Sequence, residues 1–163
     1  MYEIYLGLGT NLGDRIGNLR RAIGELEAFL TVRRKSSVYE SVPHGTGEQP
    51  LYLNMVVHAE TAAQPLELLS RVKSIESSLG RAAGTHSLPR PIDIDILFHG
   101  DTTFDSAELT VPHARLHERA FVLVPLEEIA PAHVHPRLRR PIIDLLDELG
   151  GYQDVVWLSG EQL

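Results

Sequence analysis

The chain has 163 residues, 43% of them hydrophobic and 23% charged, with no cysteine and a formal net charge of −7. This composition suits one soluble globular domain over residues 1–163, and it excludes disulfide scaffolds and thiolate metal sites. The acidic balance disfavours a nucleic-acid partner, whose phosphates are bound by many lysines and arginines, and no apolar run reaches the ~18–20 residues of a membrane span, so a cytoplasmic protein is expected.

Over residues 2–9 the apolar Tyr2, Ile4, Leu6 and Leu8 alternate with others, which predicts a strand with one buried face. Asn11-Leu12-Gly13-Asp14 is turn-like. Ile16, Leu19, Ile23, Leu26 and Leu30 then recur at the three- and four-residue intervals of an amphipathic helix. Residues 31–40 and 51–61 are expected as strands two and three, separated by the loop Pro43-His44-Gly45-Thr46-Gly47. In the third strand Leu51, Leu53, Met55, Val57 and Ala59 share one face, leaving Tyr52, Asn54, Val56 and His58 on the other. Pro65 suits a first helical position, so a second helix is predicted through Leu66, Leu69, Val72, Ile75 and Leu79 to a stop at Gly80. Residues 92–98 alternate as a fourth strand; turns, a short apolar run over 121–126 and a helix over Ile142–Leu149 follow. The order β-α-β-β-α-β plus a C-terminal extension matches the ferredoxin-like α+β pattern, an antiparallel sheet with helices on one face.

The most informative stretch is Pro89-Arg90-Pro91-Ile92-Asp93-Ile94-Asp95-Ile96-Leu97-Phe98. As a strand it turns Ile92, Ile94, Ile96 and Phe98 to the core and projects Asp93 and Asp95 together from the opposite face. At ~6 Å and an effective dielectric near ~20, two such carboxylates repel by roughly 2–3 kcal/mol, so a compensating charge is expected. Mg²⁺ would supply it, since one or two carboxylates plus substrate phosphates form its usual shell; a solvated face with two scattered acids is the alternative. Arg81 and Arg90 bracket the loop leading into this strand, and guanidinium forks suit phosphate oxygens, although plain surface charge would also account for them. Glu76 is either a solvated helix residue or the partner that orients Arg81 or Arg90.

A second cluster is Leu109-Thr110-Val111-Pro112-His113, followed by Arg119 and Phe121. His113 and Arg119 can meet one anion if the intervening turn folds back; otherwise they are a capping histidine and a surface arginine. His113 with His117, and His133 with His135, have chelating spacings without a companion acid at matching spacing. Gly7-Leu8-Gly9-Thr10-Asn11-Leu12-Gly13 invites a dinucleotide-binding interpretation but departs from that fingerprint, and competes with a tight turn before the helix.

Together, the opening glycine segment through Asp14, Tyr52-Leu53-Asn54, the run from Glu76 to Arg81, the Pro-Arg-led acidic strand, Val111-Pro112-His113 and Arg119-Ala120-Phe121-Val122-Leu123 resemble the 6-hydroxymethyl-7,8-dihydropterin pyrophosphokinase family of folate biosynthesis. The resemblance implies a ferredoxin-like fold and transfer of an intact pyrophosphoryl group from ATP to 6-hydroxymethyl-7,8-dihydropterin, releasing AMP; a monomer is expected. Carried over by position, Asp93 and Asp95 would hold two Mg²⁺ ions and form the catalytic set with Arg81 and Arg90. Glu76, Arg81, Arg90, Ile96, Thr110, His113 and Arg119 would contact the nucleotide. Tyr52 and Phe121 would sandwich the pterin, while Asn54 and backbone groups of Ser41, Val42, Pro43, His44 and Gly45 would bind its polar edge.

The family commonly carries further basic residues and a tryptophan between Arg81 and Arg90, where this chain has Ala82-Ala83-Gly84-Thr85-His86-Ser87-Leu88-Pro89 and leaves Leu88 to cover the pterin. Glu108 and Ala114 stand where some members have an arginine and an aromatic residue. A non-catalytic pterin- or nucleotide-binding module is the competing expectation. An RNA-binding domain of the same topology is disfavoured, because the strands lack clustered aromatics with basic neighbours.

Overall fold

The computed structural model describes residues 1–43, 48–82, 84, 88–152, 155–159 and 163. The alternating N-terminal segment forms β1 (Tyr2–Thr10). It leads into α1 (Arg15–Glu27), whose N-cap Asp14 accepts the Gly17 N–H through Oδ1 at 3.0 Å. Where one strand was expected over 31–40, there are two, β2 (Thr31–Lys35) and β3 (Val38–Ser41). Ser36 makes the break: its hydroxyl accepts the Val56 N–H at 2.9 Å, a place that a strand carbonyl would otherwise fill. Both strands pair with β4 (Tyr52–Thr61), β3 along its first half and β2 along its second.

Helix α2 (Pro65–Ser78) starts at the proline as expected, but Leu66 is exposed and Leu68 takes its place in the buried stripe with Val72 and Ile75. Its end is a Schellman closure. Gly80 adopts φ +96°, its N–H donates to the Ser77 carbonyl at 3.1 Å, and the Arg81 N–H returns to the Glu76 carbonyl at 3.0 Å. β5 (Asp93–His99) carries a bulge, because Leu6 faces Ile96 whereas Tyr5 faces Phe98. The extra residue, Leu97, shifts Phe98 out of the face shared by Ile92, Ile94 and Ile96, where alternation had placed it.

After the short pair β6 (Phe104–Asp105) and β7 (Thr110–Val111), the apolar run at 121–126 belongs to a helix, α3 (Ala120–Ile129), with Pro125 inside it. No amphipathic period marks this helix because it is buried nearly all round, against the sheet and against α4 (Ile142–Leu149). A strand at the C-terminus, β8 (Val155–Ser159), pairs with β3 and was not anticipated.

The sheet runs β5-β1-β4-β3-β8, with β2 also on β4, and every pairing is antiparallel. Its central order is that of the ferredoxin-like arrangement predicted from the element sequence. The expectation of helices on one face needs correction. Helices α1 and α2 bury one core against Leu6, Leu8, Leu53, Met55 and Ile94, while α3 and α4 bury a second against Tyr5, Val56, Leu97 and Phe98 on the reverse face.

The two helical glycines of α1 separate propensity from capping. A Cβ at exposed Gly24 meets nothing within 4 Å, whereas one at Gly17 would come 2.2 Å from Asp14 Oδ2 and expel the cap. Gly24→Ala should therefore stabilise the protein by about 1 kcal/mol. Gly17→Ala gains a similar ~1 kcal/mol of propensity and loses about as much capping energy, for a net change near zero. Urea denaturation of the two variants checks the contrast; equal gains would mean the Asp14 cap contributes nothing.

Candidate active site

Strand register assembles the centre of the site. Gly9 is flanked by Asp93 on one side and Asn54 on the other, and Gly7 by Asp95 and Val56. Since side chains in register share a face, both carboxylates, two glycines and the Asn54 amide form adjacent rows on the side of the sheet opposite α1 and α2. The glycines lie inside β1, so the dinucleotide turn does not exist. Their missing side chains leave a cavity of about 280 Å³, walled by Asp93, Asp95, Arg90, Arg119, Tyr52, Asn54 and Phe121 together with Ser41, Val42 and Pro43.

Behind Asp93 lies a charged relay. Glu76, read from sequence as either solvated or orienting, is 3% exposed and belongs to the second category. Its Oε1 accepts from Arg81 at 2.9 Å and from the Ile94 backbone N–H at 2.8 Å, and Oε2 accepts from Lys73 at 3.0 Å. The Schellman turn returns Arg81 over Glu76, and the same guanidinium donates to Asp93 Oδ1. Arg90 Nη1 stands 3.8 Å from the other Asp93 oxygen. Burial alone would raise the Asp93 pKa, but the Arg81 charge and hydrogen bond, with Arg90, outweigh it and hold the carboxyl below the usual range.

Asp95 has no such support. Burial, then repulsion from Asp93, pushes its carboxyl up to about 7, although 32% of the side chain remains exposed. The nearest cationic candidate, His113 Nε2, is 4.0 Å away, and burial followed by the Arg119 charge drives that imidazole down to about 4. His113 is therefore neutral near pH 7. Its Nδ1 accepts the Arg115 backbone N–H at 3.2 Å, which leaves the ring proton on Nε2, the nitrogen facing Asp95. The turn between His113 and Arg119 does fold back, through a short 3₁₀ segment at Leu116–Glu118, and Arg119 precedes α3 with its guanidinium 5.6 Å over the Phe121 ring.

On the far side of the cavity the Asn54 amide donates to Ser41 Oγ at 2.6 Å, which fixes its orientation, and a Cβ at Gly9 would lie 3.5 Å from Asn54 Oδ1 and 3.7 Å from the Tyr52 ring. Burial raises the Tyr52 phenol pKa. Asn11, counted only as a turn residue, is 1% exposed and holds Arg90 by its backbone, N–H to carbonyl at 3.1 Å and Oδ1 from N–H at 2.8 Å. Its amide also reaches Gln49 and the Pro50 carbonyl, each at 3.2 Å. No hydropathy signal distinguishes such a residue.

Not every expected residue enters the cavity wall. Arg81 and Glu76 sit behind Asp93, the Ile96 side chain is in the α1–α2 core, and Thr110 lies in β7 beside β5. Leu88 is exposed. His44 and Gly45 are outside the described residues. Among the described residues no three His, Asp or Glu side chains converge as a metal centre, and His133 and His135 pack edge-on against Phe98 instead of chelating.

An unfolded aspartate titrates near 3.8 and folded Asp95 near 7, so across that window the cation-free folded protein keeps a proton that the unfolded chain has released. Stability in metal-free buffer should decline as pH rises through the window, and Asp95→Asn should flatten the slope. Urea midpoints in EDTA measure it; identical slopes for the two proteins would exclude the raised pKa of Asp95.

The sequence model of the 7,8-dihydro-6-hydroxymethylpterin-pyrophosphokinase family matches residues 5–131. An Aquifex aeolicus protein named 2-amino-4-hydroxy-6-hydroxymethyldihydropteridine pyrophosphokinase is 43% identical over 148 residues, covering 91% of this chain and 92% of its own. A Bacillus subtilis protein of the same name is 43% identical over 127 residues, 77% of this chain and 76% of its own. Among solved structures, Plasmodium falciparum HPPK-DHPS with SDX-DHP superposes with a TM-score of 0.75 at 20% identity, over 90% of this chain. This chain spans only 44% of that polypeptide, and at such identity the likeness bears on fold alone. With matches of this extent to the family model and to full-length relatives, the chain belongs to the 7,8-dihydro-6-hydroxymethylpterin-pyrophosphokinase family.

Proposed function

We propose that this protein transfers pyrophosphate from ATP to 6-hydroxymethyl-7,8-dihydropterin, releasing AMP, as a Mg²⁺-dependent, monomeric, cytoplasmic enzyme of folate biosynthesis. One observation carries the proposal: the register row Asp93–Gly9–Asn54 sets a carboxylate beside a glycine-floored slot that ends in an oriented amide. A flat heteroaromatic ring fits the slot, and its reacting substituent would then face the acids.

In the transfer, one bond forms between the hydroxymethyl oxygen and the β-phosphorus, the hydroxyl proton passes to water, and the bond from that phosphorus to the α,β-bridging oxygen breaks, so that this oxygen leaves with AMP. Tyr52 and Phe121 supply aromatic faces for the ring, and Asn54 with the Ser41–Pro43 backbone supplies polar partners for its edge. The donor set fits hard cations: Asp93 and Asp95 would hold two Mg²⁺ ions, completed by phosphate oxygens and water, and those ions would supply charge neutralisation to the triphosphate. Asp95, raised by burial first and by the Asp93 charge second, is the carboxylate that such an ion would relieve most. Arg90 and Arg119 would take further phosphate charge, Arg81 would add its charge from behind Asp93, and His113 would offer its Nε2–H as a neutral donor. Glu76 serves by aiming Arg81. Ile96 of β5 and Thr110 of β7 would contact the nucleotide through backbone and hydroxyl groups. Catalysis is then positioning and electrostatics, with no covalent intermediate on the protein.

Incubation with ATP, Mg²⁺ and the reduced pterin should yield AMP, and Asp95→Ala should lose at least ~10³-fold in kcat/KM while remaining folded. ADP as the nucleotide product would overturn the proposal. Gly9→Val tests the slot. Valine suits a strand, and its Cβ would sit in ordinary contact with Asn54, so the variant should still fold yet bind pterin at least tenfold more weakly. Unimpaired pterin titrations would place the ring elsewhere.

A further inference from the structure

Arg15, the first residue of α1, carries none of the roles assigned above. Its Nη1 donates to Glu40 Oε2 at 2.8 Å and to the Leu51 carbonyl at 2.9 Å. Those two acceptors flank the connection from β3 to β4, one just before it and one just after. Each is also the immediate chain neighbour of a cavity residue, Glu40 of Ser41 and Leu51 of Tyr52, and Ser41 and Tyr52 face each other as the last register pair before the strands diverge. Successive side chains alternate across the sheet, so Glu40 points to the α1 side while Ser41, Tyr52 and Asn54 share the cavity side. A single guanidinium thus closes the open end of the β3–β4 ladder from behind the cavity.

We infer that Arg15 is a positioning residue for the pterin slot: it staples the two ends of the 42–50 connection and thereby sets the spacing of Ser41 and Tyr52, without touching either substrate. The inference rests on the function proposed above. The pair is partly exposed, 31% for Arg15 and 24% for Glu40, so its loss is not expected to unfold the protein. What it controls is geometry at the last rung. Freed of the staple, Ser41 loses its fixed distance to the Asn54 amide, now 2.6 Å, and Tyr52 loses its anchor at the strand start. The nucleotide side is held chiefly by other contacts: Glu76 holds Arg81, and Asn11 holds the Arg90 backbone by bonds separate from those its amide makes to Gln49 and Pro50, so it should be affected much less.

The experiment measures binding of 6-hydroxymethyl-7,8-dihydropterin in the presence of Mg²⁺ and α,β-methylene ATP, which cannot release AMP, alongside the nucleotide analogue's own affinity and thermal unfolding. Arg15→Ala should weaken pterin binding about tenfold, with analogue affinity changed less than twofold. Arg15→Lys, which keeps a cationic donor opposite Glu40 and the Leu51 carbonyl, should recover part of the loss. Pterin affinity unchanged in Arg15→Ala, with only a lower unfolding temperature, would reduce the contact to a stability strut and overturn the inference. So would equal losses for pterin and nucleotide. Should Arg15→Ala fail to fold, Glu40→Gln gives the same comparison, since it weakens the ion pair and keeps the Leu51 contact. If the unmodified protein binds no pterin, the proposed function fails; if it binds and the variants bind equally well, only the role of Arg15 does.

Discussion

Two carboxylates two residues apart on β5 set the terms for everything around them. Arg81 and Arg90 converge on Asp93 and leave Asp95 to burial and repulsion. The protein could have spread its positive charge evenly over the pair and become more stable without ligand; instead one acid is satisfied and the other is left deficient. Under the proposed function a bound cation would fill that deficit. The arrangement also explains why the arginine behind Asp93 needs Glu76 beneath it: a guanidinium in that position is buried, with only 8% of its side chain exposed, and a second carboxylate offsets the desolvation that Asp93 alone would have to cover.

The second constraint is what the sheet omits. A ferredoxin-like sheet needs one covered face; here α3 and α4 cover part of the other face too, over Tyr5, Val56 and Phe98, and would leave no room for a ligand if β1 carried ordinary side chains throughout. Gly7 and Gly9 interrupt that layer. A Cβ on Gly7 would already meet Leu97 at 3.5 Å, so the space there is set by the bulge that turned Leu97 toward this face. Core and cavity are therefore two outcomes of one layer, decided residue by residue along β1. The cost is the weaker strand propensity of glycine, accepted in the centre of the sheet where pairing on both sides compensates.

The two-residue period made the acidic pair, its face and the Tyr52–Asn54 face legible before any coordinates, because register turns alternation directly into geometry. The same rule failed at Phe98, since a bulge adds a residue without any change in local hydropathy. It failed again at Ser36, where a hydroxyl takes a backbone role. Helix α3 escaped detection for the opposite reason: apolar on all sides and interrupted by Pro125, it lacks the stripe that a half-exposed helix shows. Glu76, Asn11 and Arg15 lay beyond periodicity altogether. Each is polar, each sits where a surface residue would be expected, and each acquires its role only from partners far along the chain, such as Ile94, Arg90 and Leu51.

Those distant partners divide the site into two mechanical classes. Residues that define the slot and the acids, Asp93, Asp95, Asn54 and Tyr52, are fixed by hydrogen-bonded strands whose register cannot slip by one residue without inverting both cores. Arg81, Arg90 and Arg119 come instead from the ends of elements: a Schellman turn, a loop tied to Asn11 and the residue preceding α3. Their backbones are anchored, and the Arg81 and Arg90 side chains are buried beside Asp93. The cationic groups around the acids are thus mounted on turns, and the groups that line the slot are mounted on strands. An arginine held in strand register beside Asp95 would instead stand where the proposed function places a cation.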